Sequence, residues 1–148
     1  MTTIACNKTE MACDLQFTVM GQMKTKGYTK IYKFEPHELH FHEPFIMGFC
    51  GTAGDIIDVI DYYYQPDLYK SFPKVRNLSG LVLTQSGHIF QFDQPEKWLP
   101  VIAPFAAMGS GSPTAYGALH MGASPKEAVL AATKVDPFTG MGTKVLKF

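Results

Sequence analysis

The sequence predicts an α+β fold in a single domain, with two antiparallel sheets packed face to face and helices outside them. Three observations point there. Short β-rich runs separated by turn residues fill the first half. At Ala53 the period changes, and Ile56, Ile57, Val59, Ile60 and Tyr63 recur at helical spacing. Further on, helical segments stand apart from a second strand hairpin, the order of an α+β chain. The 148 residues, 46% hydrophobic and 18% charged, suffice for one full core, so residues 1–148 read as one domain.

Each element has a local reason. Residues 3–7 and 10–13 flank a short turn at Lys8-Thr9 and read as a hairpin. A β-rich run over 27–34 ends before Pro36. Residues 45–51 form an apolar strand between Pro44 and Gly51. The helix from Ala53 extends to about Tyr64, limited by Pro66. Residues 65–78 read as irregular or as a stunted helix. Residues 80–84 and 88–92 form a hairpin around Ser86-Gly87. Ser112-Pro113 opens a helix to about Met121, with Ser112 as N-cap. Ser124-Pro125-Lys126-Glu127 is a capping box for a helix to about Val135. Residues 142–148 read as a last strand.

Composition excludes some classes of function. Thirteen basic residues balance thirteen acidic ones, which argues against nucleic acid or an anionic membrane as the main partner. No apolar run is long enough to span a bilayer, and no basic region followed by an apolar run marks a signal peptide. Cys6, Cys13 and Cys50 lack metal-type spacing and read as reduced thiols of a cytoplasmic protein. No cofactor motif is recognised.

The start, Met1-Thr2-Thr3-Ile4, carries the chemistry. Thr2 is small, so aminopeptidase removal of Met1 is expected. A threonine at the mature terminus supplies both a nucleophilic hydroxyl and an amine of pKa about 8. If Met1 stays, that amine is tied up in a peptide bond and the route is closed. Such a nucleophile needs a cation, a carboxylate to orient the cation, and a backbone N–H for the oxyanion. Candidates follow in order. Asp14 closes the opening hairpin, and Lys30 lies sixteen residues further on. Gly51 sits at a strand-to-helix junction. Gly109-Ser110-Gly111 is a tight turn before a helix, and Asp136-Pro137-Phe138-Thr139-Gly140 joins the last helix to the last strand.

These pieces resemble the proteasome β-subunit and HslV family of N-terminal-nucleophile (Ntn) threonine hydrolases. The resemblance spans nearly the whole chain. It rests on Thr2-Thr3-Ile4, on Ala-x-Asp-x-Gln at 12–16, on Lys30-Ile31, on Gly48-Phe49-x-Gly51, on Gly109-Ser110-Gly111 and on Asp-x-x-Thr-Gly at 136–140. It implies a four-layer αββα sandwich and a threonine-type peptidase. Thr2 would be the nucleophile, Lys30 would ease loss of its proton, Asp14 would pair with Lys30, and the Gly51 N–H would form the oxyanion hole. Ser110, Asp136 and Thr139 would hold the α-amine. Thr18 would hydrogen-bond the substrate main chain. Phe17, Tyr28, Tyr32, Phe49 and Ala53 would line a pocket preferring an apolar or aromatic side chain. The implied partners are peptide or unfolded protein, a homo-oligomeric ring and an ATPase unfoldase, with no propeptide, as in HslV.

The chain departs from that family in three places. Its opening hairpin is a few residues shorter. Residues 65–78 are too short for the second long helix, which shortens the helical layer and alters surfaces where subunits and unfoldases dock. Thr139 stands where serine is usual.

Other readings stand beside this one. The same fold could be a catalytically silent assembly or binding protein, or an amidase. Asp14 and Lys30 could be a plain ion pair. Cys50 is a rival nucleophile. Tyr62-Tyr63-Tyr64 reads as a packed helix surface or subunit contact. His37, His40 and His42, with Glu38 and Glu43, form a cluster outside the pattern. If His40 and His42 share a strand face, zinc is conceivable, as is a pH-sensitive contact; as a surface loop the segment holds no metal.

Overall fold

The computed structural model describes residues 2–19, 21, 23–94 and 97–148. Strands β1 (Thr3–Asn7) and β2 (Glu10–Asp14) form the opening hairpin, and β3 (Gln16–Val19) and β4 (Met23–Lys26) form a separate two-stranded ribbon. Then come β5 (Ile31–Phe34), β6 (Phe45–Gly51), helix α1 (Ala53–Tyr64) and a single 3-10 turn at Pro66–Leu68. Strands β7 (Leu78–Thr84), β8 (Ile89–Phe92), β9 (Leu99–Val101) and β10 (Phe105–Gly109) follow. The chain closes with α2 (Ser112–His120), α3 (Pro125–Ala132) and β11 (Thr143–Lys147).

Two antiparallel sheets result. One has the order β10-β1-β2-β11 and the other β5-β6-β7-β8-β9. Side-chain alternation builds the layers. On β1, Ile4 and Cys6 face the other sheet, where they meet Ile46, Leu81 and Leu83, while Ala5 faces the helices. On β2, Met11 and Cys13 face inward and Ala12 outward. The outer face is small, so α2 and α3 lie close, with Ala115, Ala128 and Val129 against Ala5, Ala12 and Ala107. The other sheet turns its large residues outward instead. Phe45, Met47 and Phe49 pack under Ile56, Val59 and Tyr63 of α1. The order α2/α3, sheet, sheet, α1 is a four-layer αββα sandwich, with a single long helix on the α1 side among the described residues.

Local chemistry explains the boundaries. Asn7 Oδ1 accepts from the N–H of Thr9 and of Glu10, both at 2.9 Å, which closes the first turn. The capping box forms: Ser124 Oγ accepts from Glu127 N at 3.3 Å, and Glu127 Oε2 accepts from Ser124 N at 2.7 Å. Three expectations need correction. Only residues 31–34 of the 27–34 run are strand, because Lys30 turns inward and Tyr28 stands 85% exposed. Gly111, not Ser112, is the N-cap of α2, and its N–H is already spent on Thr3 Oγ1. Helix α3 ends at Ala132, where i→i+3 bonds such as Val135 N to Ala132 O tighten the chain into turns. Strands β3, β4, β9 and β10 fall outside the expected strands. β10 reads Phe-Ala-Ala-Met-Gly and β9 contains Pro100, both poor strand formers on their own.

Candidate active site

Asp14, at the end of β2, is fully buried and takes five donors. Its Oδ1 accepts from Thr2 Oγ1 at 2.8 Å, Thr3 N at 2.9 Å and Lys30 Nζ at 2.7 Å. Its Oδ2 accepts from Gln16 N at 3.1 Å and Gly140 N at 3.2 Å. A buried carboxylate with a cation and four neutral donors is fully compensated for its lost hydration. Lys30 is 3% exposed and also donates to the Gln16 carbonyl at 2.7 Å. Its ammonium stands 5.4 Å from the centroid of the Phe17 ring. Lys30 is aimed by its own backbone, whose carbonyl accepts from Phe49 N at 2.9 Å and so fixes it beside β6.

Gly51 ends β6 with φ +140°, and a Cβ there would lie 2.1 Å from the Asn77 carbonyl oxygen. Only glycine fits this turn from strand to helix. Phe49 N points toward the β5 side, to Lys30 O, while Thr52 N points the other way, to Asn77 O. Strand alternation therefore aims the Gly51 N–H toward the β5 side, where β5 has stopped at Ile31. Thr2, Lys30 and Gly51 line one cleft of about 350 Å³ with Phe17, Thr18 and Phe49. Ala53 is on its wall as well.

A second polar cluster sits behind Thr2. Ser110 Oγ and Thr139 Oγ1 both donate to Asp136 Oδ2, at 2.6 and 2.5 Å, and Phe138 N donates to Oδ1 at 3.1 Å. Burial acts to raise the Asp136 carboxyl, but these donors outweigh it and hold its pKa below the ordinary value. Ser110 Oγ lies 3.4 Å from the Thr2 carbonyl oxygen. Gly109, with φ +101°, lets the turn approach so closely that a Cβ would meet Thr2 O at 1.9 Å.

The fold therefore brings Thr2, Asp14, Lys30 and Gly51 to one cleft and Ser110, Asp136 and Thr139 to its rear. Thr18, Phe17, Phe49 and Ala53 line the cleft, but Tyr28 and Tyr32 do not. They line a neighbouring apolar cavity of about 400 Å³, on the other side of Phe17. Met1, whose removal the reading requires, lies outside the described residues. Thr3, Gln16 and Gly140 had no expected role, yet their N–H groups supply three of the five donors to Asp14; all three stand inside the quoted motifs, and that was the available signal.

The rival sites are reshaped. Burial pushes the Cys50 thiol up to about 12, the opposite of an activated nucleophile. His40 and His42 do not share a strand face, because residues 38–40 form a turn closed by the His37–Phe41 bridge. His37 and His40 instead stack at 4.9 Å, and His40 Nδ1 lies 2.7 Å from the Tyr63 hydroxyl. Among the described residues, no three His, Cys, Asp or Glu side chains converge to hold a metal. Tyr62 and Tyr63 are buried core residues.

No protein-family model and no curated protein sequence matches the chain. Solved structures do. A Thiobacillus denitrificans BPH in complex with epoxomicin is 17% identical with a TM-score of 0.73, covering 99% of this chain and 97% of that one. A eukaryotic HslV from Trypanosoma brucei is 19% identical with a TM-score of 0.70, covering 99% and 100%. Anbu from Hyphomicrobium sp. strain MC1, as a Gly-1 mutant, is 10% identical with a TM-score of 0.77, covering 100% and 81%. At such identities the likeness establishes the architecture: the chain has the proteasome- and HslV-like Ntn-hydrolase fold.

Proposed function

We propose that the chain is a threonine-type peptidase that acts through Thr2 once Met1 has been removed. One observation carries this: the Thr2 hydroxyl, Asp14 and Lys30 meet at hydrogen-bond distance on the wall of an open cleft that Gly51 also lines. Oγ1 attacks a peptide carbonyl and its proton passes to the Thr2 amine. The new oxyanion sits on the Gly51 N–H, with Lys30 balancing the charge. The amine's proton leaves with the departing peptide nitrogen, and the acyl group stays on Oγ1 as an ester. Water, deprotonated by the same amine, then attacks the ester and restores the hydroxyl. Ser110, Asp136 and Thr139 hold the amine. Thr18 pairs with the substrate backbone, and Phe17, Phe49 and Ala53 receive an apolar side chain. The resemblance adds unfolded polypeptide as substrate, a homo-oligomeric ring, a cytoplasmic setting and an ATPase unfoldase as partner.

The epoxomicin bound by the Thiobacillus protein suggests the same class of inhibitor here. A second reading, a silent assembly or binding protein, is favoured by the burial of Thr2, which is 3% exposed. Hydrolysis of unfolded protein by purified chain decides between them. Thr2→Ala should abolish turnover while preserving the fold, and Lys30→Ala should abolish it at a cost in stability, since Asp14 then keeps only its neutral donors. Unchanged turnover in either variant rejects the mechanism.

A further inference from the structure

We propose that Thr3 is the positioning residue that ties together the two polar clusters flanking Thr2 and fixes the direction of proton donation in the rear one. The inference rests on the peptidase reading above. Thr3 is fully buried, and it reaches both clusters. Its N–H donates to Asp14 Oδ1 at 2.9 Å. Its hydroxyl accepts from Gly111 N at 3.1 Å and lies 2.6 Å from Thr139 Oγ1. A Cβ on Gly111 would stand 2.2 Å from Thr3 Oγ1, so this approach depends on glycine.

Counting protons orients the chain of bonds. Thr139 has one hydroxyl proton, and it goes to Asp136 Oδ2 at 2.5 Å. Thr139 can therefore only accept from Thr3. Thr3 in turn accepts from Gly111, whose N–H can only donate. The sequence runs from the Gly111 amide through Thr3 and Thr139 to the Asp136 carboxylate, and neither end can reverse. Ser110 also spends its proton on Asp136 Oδ2. Against that 2.6 Å bond the 3.4 Å contact of Ser110 Oγ with the Thr2 carbonyl is weak, and the Ser110 lone pairs remain available as acceptors. An acceptor there suits the N–H of a freed, protonated α-amine.

Removing the Thr3 hydroxyl orphans the Gly111 N–H and deprives Thr139 of its donor. The Thr139 bond to Asp136 then weakens, because aligned hydrogen bonds strengthen one another. Asp136 holds the positive charge of the Thr2 amine more firmly, and less of the neutral base is present at a given pH.

The test is steady-state hydrolysis of a peptide with an apolar residue before the scissile bond, followed across about pH 5 to 9. Thr3→Val should lower kcat about tenfold with KM unchanged, and should move the acid limb of kcat/KM to higher pH. Thr3→Ser should restore both. A Thr3→Val enzyme with wild-type kcat and pH profile overturns the proposal, and so does a Thr3→Ser enzyme as impaired as Thr3→Val. If Thr3→Val does not fold, Thr3→Ala, which also removes the hydroxyl, is read the same way. A wild-type protein that neither hydrolyses peptide nor reacts with an epoxyketone sinks the peptidase reading itself. A reactive wild type beside an unaffected Thr3→Val removes this inference alone.

Discussion

The Thr2 hydroxyl points its proton at Asp14, with Oγ1 2.8 Å from Oδ1. Lys30 Nζ donates to that same oxygen at 2.7 Å. One carboxylate oxygen thus locates both the nucleophile and the cation. The opening hairpin brings this about: Ile4 pairs with Cys13 across it, which sets Thr2 and Thr3 beside Asp14.

Asp14 should matter to stability as well as to chemistry. Asp14→Ala strands the buried Lys30 ammonium and orphans the N–H of Thr3, Gln16 and Gly140. The expected loss is about 3–5 kcal/mol in chemical denaturation. Adding Lys30→Met should recover part of it, since the stranded charge is then gone. A loss below about 1 kcal/mol for Asp14→Ala alone contradicts this picture.

The aromatic cluster around His40 should make the protein acid-sensitive. Burial, with His37 acting in the same direction, lowers the His40 pKa from 6.5 to about 4. The unfolded chain takes up this proton first. His40 therefore contributes no pH dependence above about 6.5, and stability falls as pH drops from there toward 4. The side chain is only partly buried, so solvent screening reduces the effect to roughly 1–2 kcal/mol. Thermal melts of His40→Phe should lose that part of the slope while keeping the ring contacts to Trp98 and Phe72. An unchanged slope rules His40 out as its source.

Phe17 should set the reach of the substrate pocket. Its ring lies against Gly27, where a Cβ would meet Phe17 Cδ2 at 2.0 Å. It divides the Thr2 cleft of about 350 Å³ from the apolar cavity of about 400 Å³ lined by Tyr28 and Tyr32. Phe17→Ala should join the two. Relative kcat/KM for a large aromatic over a small residue before the scissile bond should then rise about tenfold. A peptide series gives the ratio directly; if it stays at the wild-type value, the divider is not what limits the site.

The readable parts of this chain are those with local causes. Helix α1, the capping box at Ser124 and strand β6 follow from period, cap chemistry and flanking Pro or Gly. The motif residues Thr2, Asp14 and Lys30 were legible through their order, and the structure brings them together. Strand β10 was not legible, because its Ala-Ala-Met run becomes a strand only through pairing with β1, some hundred residues away in sequence. Tyr28 and Tyr32 were assigned to the Thr2 cleft, since no spacing rule shows that the Phe17 ring would lie between. The N-cap of α2 was misplaced because Ser112 looks like a cap, while the tertiary bond from Gly111 to Thr3 is invisible in one dimension.

Everything in this mechanism depends on a free and activated Thr2. Intact mass before and after incubation with a peptide epoxyketone tests it most directly, with peptide mapping to locate the adduct. The expected result is a chain lacking Met1 that gains a single inhibitor mass on Thr2, and no adduct in Lys30→Ala. A chain that keeps Met1 and gains no mass contradicts it and favours the silent assembly or binding protein.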